Sequence, residues 1–198
     1  MARIKICGLM RAEDIEAVNK YRPDYVGFVL APSKRRVSAQ DVRRMSAKLE
    51  PSIQRVGVFV DEDREMLAKI AENGIIDIIQ LHGHEPEEDI VWLKARTKAV
   101  VIKAVSVRTG EDIEANRHSV ADYLLLDNGA GGTGNTFDWS TLENIKRPFF
   151  LAGGLNASNI EEALKYNPYC VDVSSGVETA GRKDAAKIQK IIDIVRRK

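Results

Sequence analysis

The sequence predicts a single α/β domain, an eight-stranded parallel (β/α)8 barrel of the TIM-barrel class. Eight short runs rich in apolar and β-branched residues start at intervals of 21 to 29 residues, as expected for strands. Between them lie segments with helix-start residues and a helical spacing of apolar residues. Alternating strands and helices are typical of right-handed βαβ units in a parallel sheet, and eight units favour a closed barrel. A six-stranded doubly wound sheet is the alternative.

The predicted strands and helices follow one another along the whole chain. The strands are RIKIC at residue 3, YVGFVL at 25, QRVGVFV at 54, DIIQL at 77, VVIKAV at 100, ADYLLL at 121, PFFLAG at 148 and CVDVSS at 170. Helix starts are predicted at Ser38–Asp41, Asp61–Asp63, Pro86–Glu88 and Asn156–Asn159. Only a brief helix, around Glu111–Arg117, fits between the fifth and sixth strands.

The length and composition of the chain fit one compact barrel. Its 198 residues are fewer than the roughly 250 typical of such barrels, so its loops and helices must be short. No linker or low-complexity stretch divides it, and residues 1–198 are predicted to form one domain.

The charge balance narrows the classes of partner. With 30 Lys and Arg against 29 Asp and Glu, the net charge of +1 offers no large field to attract nucleic acid or an anionic membrane. The sequence lacks a signal-peptide run and the roughly 20 consecutive apolar residues of a spanning helix. We therefore expect a cytoplasmic protein that binds a small molecule, as a monomer or a homodimer. Its two cysteines, Cys7 and Cys170, are expected to be unpaired.

The chemistry is expected where the strands of such a barrel end, because the βα loops converge there. The polar or glycine-containing strand ends are Cys7-Gly8, Pro32–Arg36, Gln80–Gly83, Asp127, Gly153-Gly154 and Ser174–Gly176. The loops after the last two strands commonly form a phosphate site, helped here by a short helix predicted near Ser175. Two ordinary glycine turns are the alternative.

A further loop, residues 128–134, contains four glycines within seven residues. It is interpreted as a mobile lid or a third wall of the phosphate site, and a flexible surface crossover is the alternative. The predicted phosphate-binding residues are Gly132, Gly134, Gly153, Gly154, Ser174, Ser175 and Gly176.

At these positions the sequence resembles the phosphoribosylanthranilate isomerase family. The matching stretches, in order, are Lys5–Gly8, Ser33–Arg35, Val37–Ser38, Val56–Phe59, Gln80–Gly83, Leu126–Asp127, Gly131–Gly134, Thr136–Trp139, Gly153–Leu155 and Val171–Glu178. The resemblance implies an Amadori rearrangement of a phosphoribosyl aminoaldose in tryptophan biosynthesis, with no cofactor. It implies that Cys7 is the general base, that Asp127 is the general acid and that Arg35, rather than its neighbour Arg36, binds the carboxylate of the substrate.

Two departures from the family pattern bear on phosphate binding. The loop between Asp127 and Gly131 is shorter than expected, and Asn135 stands where a basic residue often follows the glycine-rich motif. Phosphate binding would therefore depend more on backbone N–H groups than on a cationic side chain.

Both catalytic groups need a perturbed environment. An ordinary Asp is almost fully ionised at pH 7, and an ordinary thiol is only a few per cent thiolate. Strand alternation puts Lys5 on the same face as Cys7, so Lys5 is a candidate cation for the thiolate or a barrel ion-pair residue, with Asp172 as a candidate partner. The side chains of Gln80 and His82 are candidate supporting residues in the wall of the site.

Other polar residues and other functions are given less weight. His82 and His84 have no known metal-binding spacing, and no metal is expected. Cys170, Trp92 and Trp139 are predicted to be packing residues. The functional alternatives are the histidine-pathway isomerase, which uses two aspartates, a lyase-type synthase with catalytic Lys and Glu, and a non-catalytic phosphate-binding barrel.

Overall fold

Eight parallel strands close into a barrel in chain order, which confirms the predicted fold. The computed structural model describes residues 1–129, 136–143 and 145–197. The barrel strands are β1 (Arg3–Cys7), β2 (Tyr25–Val29), β3 (Gln54–Phe59), β4 (Ile78–Leu81), β5 (Val100–Ser106), β6 (Tyr123–Asp127), β7 (Phe149–Leu151) and β8 (Cys170–Val173). Each begins within two residues of its predicted start.

The helices of the described residues pack outside the barrel. They are α1 (Ala12–Tyr21), α2 (Ala39–Ser46), α3 (Arg64–Glu72), α4 (Glu87–Arg96), α5 (Gly110–Ala115), α6 (Ile160–Ala163) and α7 (Ala185–Arg196). Ser38 and Asp63 accept hydrogen bonds from the backbone of the first turns of α2 and α3, as their helix-start patterns predict. Between β6 and β7 the helical structure of the described residues is the 3-10 turn Trp139–Leu142.

Two separate apolar cores follow from the alternation of the strands. Ile4 and Ile6 face the helices and belong to the outer core. The inner core fills the barrel, and Cys170 is fully buried in it, as predicted. Its buried members are Tyr25, Val56, Ile78, Ile102, Leu125, Phe150, Ala152 and Cys170. The other face of β1 therefore points Lys5 and Cys7 into the barrel.

The N-terminal end of the barrel is filled by an arginine and a group of tyrosines. Arg3 donates a 2.6 Å hydrogen bond to the hydroxyl of Tyr25, and its guanidinium carbon lies 5.0 Å from the ring centre of Tyr169. The Tyr123 ring stacks on Tyr169 at 4.6 Å. Side chains therefore occupy this end, and the βα loops converge at the opposite end.

A small antiparallel hairpin follows β8, and the sequence did not predict it. After the 3-10 turn Ser175–Val177, β9 (Glu178–Thr179) pairs with β10 (Arg182–Lys183). Ala180 and Gly181 connect them with φ values of 50° and 73°, the combination of a type I′ turn. The hairpin places Glu178 opposite Lys183 beside the C-terminal end of β8. Within the described part of the chain, no helix has the length and apolar character needed to span a membrane.

Candidate active site

Most of the predicted site residues line one cavity at the C-terminal ends of the strands. The cavity has a volume of about 280 Å³. Its polar and glycine lining comprises Ser33, Arg35, His82, Asp127, Asp172, Gly153, Gly154, Ser174 and Ser175, together with the thiol of Cys7. Side chains at or just after the C-terminal ends of β1, β4, β6 and β8 thus meet at one rim, as the closed barrel requires.

Cys7 lies beside a buried ion pair. Lys5 is 0% exposed, and its ammonium donates a 2.8 Å hydrogen bond to Oδ2 of Asp172. Lys5 and Asp172 are direct neighbours in the pairing of β1 with β8, so the partner that strand alternation suggested is confirmed. Burial lowers the pKa of Lys5, but the charges of Asp172 and Cys7 outweigh it and raise the pKa above its usual value. Lys5 is therefore a permanent cation.

The environment of Cys7 opposes thiolate formation overall. Burial raises the pKa of the thiol, and the negative charge of Asp172 adds to this effect. The cations of Lys5 and Lys183 lower the pKa, without bringing it back to its usual value. The two lysines thus reduce the free energy needed to form the thiolate at this half-buried position.

The surroundings of Asp127 favour the protonated state that an acid needs, relative to an ordinary aspartate. Burial raises its pKa; nearby His82 opposes this effect and Asp172 reinforces it. Its Oδ1 atom is buried without a hydrogen-bond partner in the described structure. A carboxyl group in such surroundings is protonated more often at neutral pH than an ordinary aspartate.

The predicted supporting residues Gln80 and His82 lie next to Asp127. The amide nitrogen of Gln80 donates to Nδ1 of His82 over 3.0 Å, which leaves the ring proton on Nε2. That nitrogen lies 3.8 Å from Oδ2 of Asp127. Burial lowers the pKa of His82, although the Asp127 charge opposes it, so the ring is neutral at pH 7. His82 therefore presents an N–H group to the carboxyl of Asp127.

Arg35, and not Arg36, reaches the cavity. Arg35 lines the cavity with a side chain that is 12% exposed, whereas Arg36 is an exposed residue. The Arg35 side chain crosses over Gly8, where an added Cβ would lie 2.6 Å from Cδ of Arg35. Gly8 also has a φ of 82°, which an L side chain rarely adopts. The glycine after Cys7 therefore allows Arg35 to approach.

Glu178 and Lys183, to which the sequence analysis gave no role, form the wall behind Arg35. Glu178 accepts hydrogen bonds from Nε and Nη2 of Arg35 at 2.7 and 2.9 Å. Lys183, whose side chain is 1% exposed, donates to Glu178 at 2.7 Å and to the carbonyl of Ser174 at 3.0 Å. The available sequence signal was the pair Ala180-Gly181, which suits a tight turn.

The opposite side of the cavity is built from backbone. Gly153 and Gly154 have φ values of 84° and 68°. A Cβ on Gly176 would lie 2.0 Å from the carbonyl oxygen of Leu155, so the loops after β7 and β8 are in close contact. Within the described residues, no acceptor is recorded for the N–H groups of Gly153, Gly154, Ser175 or Gly176. Gly132 and Gly134 lie outside the described residues.

Other clusters of the described residues carry less chemistry. No group of three or more His, Cys, Asp or Glu side chains among them could hold a metal ion. A larger cleft of about 660 Å³ lies between α5 and the turn Trp139–Leu142. Its Arg147 donates to carbonyl oxygens of Ser119 and Ala121, so that cation serves the fold. Cys7 and Cys170 are both free thiols.

The fold and the cavity define a class of protein: a (β/α)8-barrel enzyme with a thiol and a carboxyl group in its cavity, an arginine at one side and glycine loops at the other. Residues 4–194 match the family model of N-(5'-phosphoribosyl)anthranilate (PRA) isomerase. The chain belongs to that family.

Relatives match over their whole length. The N-(5'-phosphoribosyl)anthranilate isomerase of Clostridium acetobutylicum is 47% identical, over 100% of this chain and 99% of the relative. The phosphoribosyl anthranilate isomerase of Thermotoga maritima, described in one structure as dimeric, superposes with a TM-score of 0.90 at 38% identity, with full coverage of both chains. A 39% identical isomerase, with a TM-score of 0.89 and full coverage, was solved with reduced 1-(o-carboxyphenylamino)-1-deoxyribulose 5-phosphate.

Proposed function

We propose that this chain uses Cys7 as general base and Asp127 as general acid to convert N-(5-phosphoribosyl)anthranilate into 1-(2-carboxyphenylamino)-1-deoxyribulose 5-phosphate. As a member of its family it is an isomerase of tryptophan biosynthesis. The observation that carries the residue assignment is the convergence of Cys7, Asp127 and Arg35 on one cavity. A binding barrel without catalysis would not need this pair of ionisable groups.

The two groups act at different atoms of the substrate. Asp127 donates its proton to the furanose ring oxygen as the bond from that oxygen to C1 breaks, and a protonated Schiff base forms between C1 and the amine. Cys7, as thiolate, then removes the proton from C2 and gives an enolamine. The enolamine becomes the ketone when C1 gains a proton and the C2 hydroxyl loses one. The cycle leaves Asp127 ionised and Cys7 protonated, so solvent exchange restores both groups.

The two ends of the substrate match the two sides of the cavity. The guanidinium of Arg35 binds the anthranilate carboxylate, because planar N–H donors suit a carboxylate. The N–H groups of Gly153, Gly154, Ser175 and Gly176 bind the phosphate. The analogue bound by the 39% identical relative carries both anionic groups, which supports this assignment.

The location and the partners of the protein are proposed from its place in tryptophan biosynthesis. We place this chain in the cytoplasm, with a small phosphorylated molecule as its partner and with neither nucleic acid nor a membrane. It acts as a monomer or as a homodimer. The Thermotoga maritima relative supports the homodimer, and sedimentation equilibrium distinguishes the two.

Turnover of freshly generated phosphoribosylanthranilate, followed by the loss of anthranilate fluorescence, tests the function. We expect turnover by the intact chain, and no turnover would overturn the proposal. Cys7→Ser should lose most of kcat yet bind the reduced product analogue with unchanged Kd, because the hydroxyl is a much weaker acid than the thiol.

Cys170→Ser is the matched control, since it also replaces a thiol but lies in the inner core at the start of β8. It should keep kcat in the folded protein. Near-normal kcat in Cys7→Ser would show that Cys7 is not the base.

A further inference from the structure

We propose that Glu178 and Lys183 of the β9–β10 hairpin are positioning residues: Glu178 fixes the orientation of Arg35 toward the substrate carboxylate, and Lys183 holds a second positive charge beside Cys7. The inference rests on the proposed function and adds two residues to it. It is carried by a buried hydrogen-bonded group of three charges, Arg35, Glu178 and Lys183.

The geometry of Arg35 leaves one edge of its guanidinium for a ligand. Glu178 occupies the edge formed by Nε and Nη2, with both carboxylate oxygens. Nη1 donates to none of the described residues, and Arg35 lines the cavity. A bidentate pair holds the guanidinium in one plane. Arg35 is therefore already ordered in one rotamer when the carboxylate binds to its free edge.

The charges of the group match one carboxylate. Arg35 and Lys183 contribute two positive charges and Glu178 one negative charge, so the group has a net charge of one positive unit. The side chains of all three are at most 12% exposed, and a net charge in such a place favours an anionic partner. Although burial raises the pKa of Glu178, the hydrogen bonds from Arg35 and Lys183 lower it to about 2. Glu178 is therefore ionised at every pH at which the enzyme would be assayed.

Lys183 is linked to Cys7 through the neighbouring backbone. It donates to the carbonyl of Ser174, and the hydroxyl of Ser174 donates to the carbonyl of Cys7 at 3.1 Å. The charged groups around the thiol are Lys5 and Asp172 within the barrel and Lys183 and Arg35 at its rim. Asp172 offsets part of the effect of Lys5 on the thiol, and the charge of Lys183 adds to the effect of Lys5.

Glu178 also supports the charge of Lys183. Burial lowers the pKa of Lys183, and its bond to Glu178 opposes that effect. Removal of the carboxylate would therefore release Arg35 and favour loss of the proton from Lys183. One residue thus controls both the binding group and the cation beside the base.

Steady-state kinetics of Glu178→Gln and Lys183→Met test the inference. Glu178→Gln should raise KM roughly tenfold or more, since a charged hydrogen-bond pair is lost. Lys183→Met should change KM less, lower kcat and move the alkaline limb of the kcat/KM profile to higher pH, because the pKa of Cys7 rises. Arg182 is an exposed residue on the same hairpin. Arg182→Gln is the control and should leave KM, kcat and the pH of the alkaline limb unchanged.

A direct titration of Cys7 provides a readout independent of turnover. The rate of alkylation by iodoacetamide against pH, measured on the chain and on Lys183→Gln, gives the thiol pKa, and buried Cys170 contributes little. The expected result is a higher pKa in the variant. An unchanged pKa would overturn the role of Lys183.

If Glu178→Gln lost thermal stability but kept its KM, the proposed role of Glu178 would be overturned. The hairpin would then stabilise the fold without orienting Arg35. These outcomes differ from failure of the proposed function, in which the unaltered chain itself would not turn over phosphoribosylanthranilate.

Discussion

In the proposed mechanism Cys7 and Asp127 need opposite protonation states, and burial raises the pKa of both groups. This helps Asp127 and hinders Cys7. The active form, with protonated Asp127 and ionised Cys7, carries the same number of protons as the more abundant form in which the two are reversed. The fraction of enzyme molecules in the active form is therefore constant at pH values between the two pKa values, and it decreases at lower and at higher pH. If the difference between the two pKa values becomes one unit smaller, the active fraction rises about tenfold.

A bell-shaped pH profile of kcat/KM is the expected result. The rate should rise with pH through the pKa of Asp127, above its ordinary 3.8, and fall through the pKa of Cys7, above its ordinary 9.0. The limb at low pH thus reports the general acid Asp127, and the limb at high pH reports the general base Cys7. This is the reverse of the usual order, because the active form is the one with Asp127 protonated and Cys7 ionised. Initial rates at constant ionic strength measure both limbs, and an alkaline limb well below pH 9 would contradict the burial of the thiol.

The neighbouring arginines offer a matched pair of substitutions. Arg35→Ala should raise KM by about tenfold or more, because a bidentate donor to the carboxylate is lost. Arg36→Ala, at an exposed position, should change KM less than about twofold. Initial-rate measurements compare the two, and the reverse order would transfer the carboxylate contact to Arg36.

Among the elements, the β9–β10 hairpin contributes most to the site for its size. Its two strands contain two residues each, too few to show the alternation that predicts a strand. The barrel strands were predictable because each has several residues of a β-rich run. Only the turn residues Ala180 and Gly181 mark the hairpin in the sequence, and an alanine is an unusual choice at a φ of 50°.

Ala180→Asn should stabilise the fold, because Asn followed by Gly is favoured in a type I′ turn. We expect a gain of about 0.5 kcal/mol and a rise in Tm of roughly 1 to 2 °C, measured by thermal denaturation. Ala95→Asn, at an exposed position within α4, should instead destabilise the protein through helix propensity. A loss of stability in Ala180→Asn would mean that the turn geometry is different.

At the scale of the whole molecule, the buried pair Lys5–Asp172 joins the first barrel strand to the last. Lys5→Met should cost about 3 to 5 kcal/mol, because Asp172 would remain as a buried charge without a partner. Lys5→Met combined with Asp172→Leu should recover most of that loss, since an apolar pair of similar size fits the interior. Urea denaturation measures both, and a cost below about 1 kcal/mol for Lys5→Met would show that water reaches the pair.

The same pair shows how far the sequence could predict the site. Lys5, Cys7 and Asp172 were predictable because alternation along a strand is local, and closure of the barrel then makes β1 and β8 neighbours. The contact of Arg35 with Glu178 joins residues 143 positions apart. It depends on the path of the loop after β2 and on a hairpin outside the barrel, so no local period predicts it. The roles of Cys7, Asp127 and Arg35 came from the family resemblance.

The tyrosines and Arg3 that fill the N-terminal end of the barrel limit how substrate can enter and product can leave. With that end filled by side chains, substrate enters and product departs across the same rim. Both molecules carry a carboxylate and a phosphate, so with the proposed contacts they compete for the same arginine and the same glycine loops. We therefore expect inhibition by accumulated product, so that the next reaction sustains the flux through this enzyme by removing it.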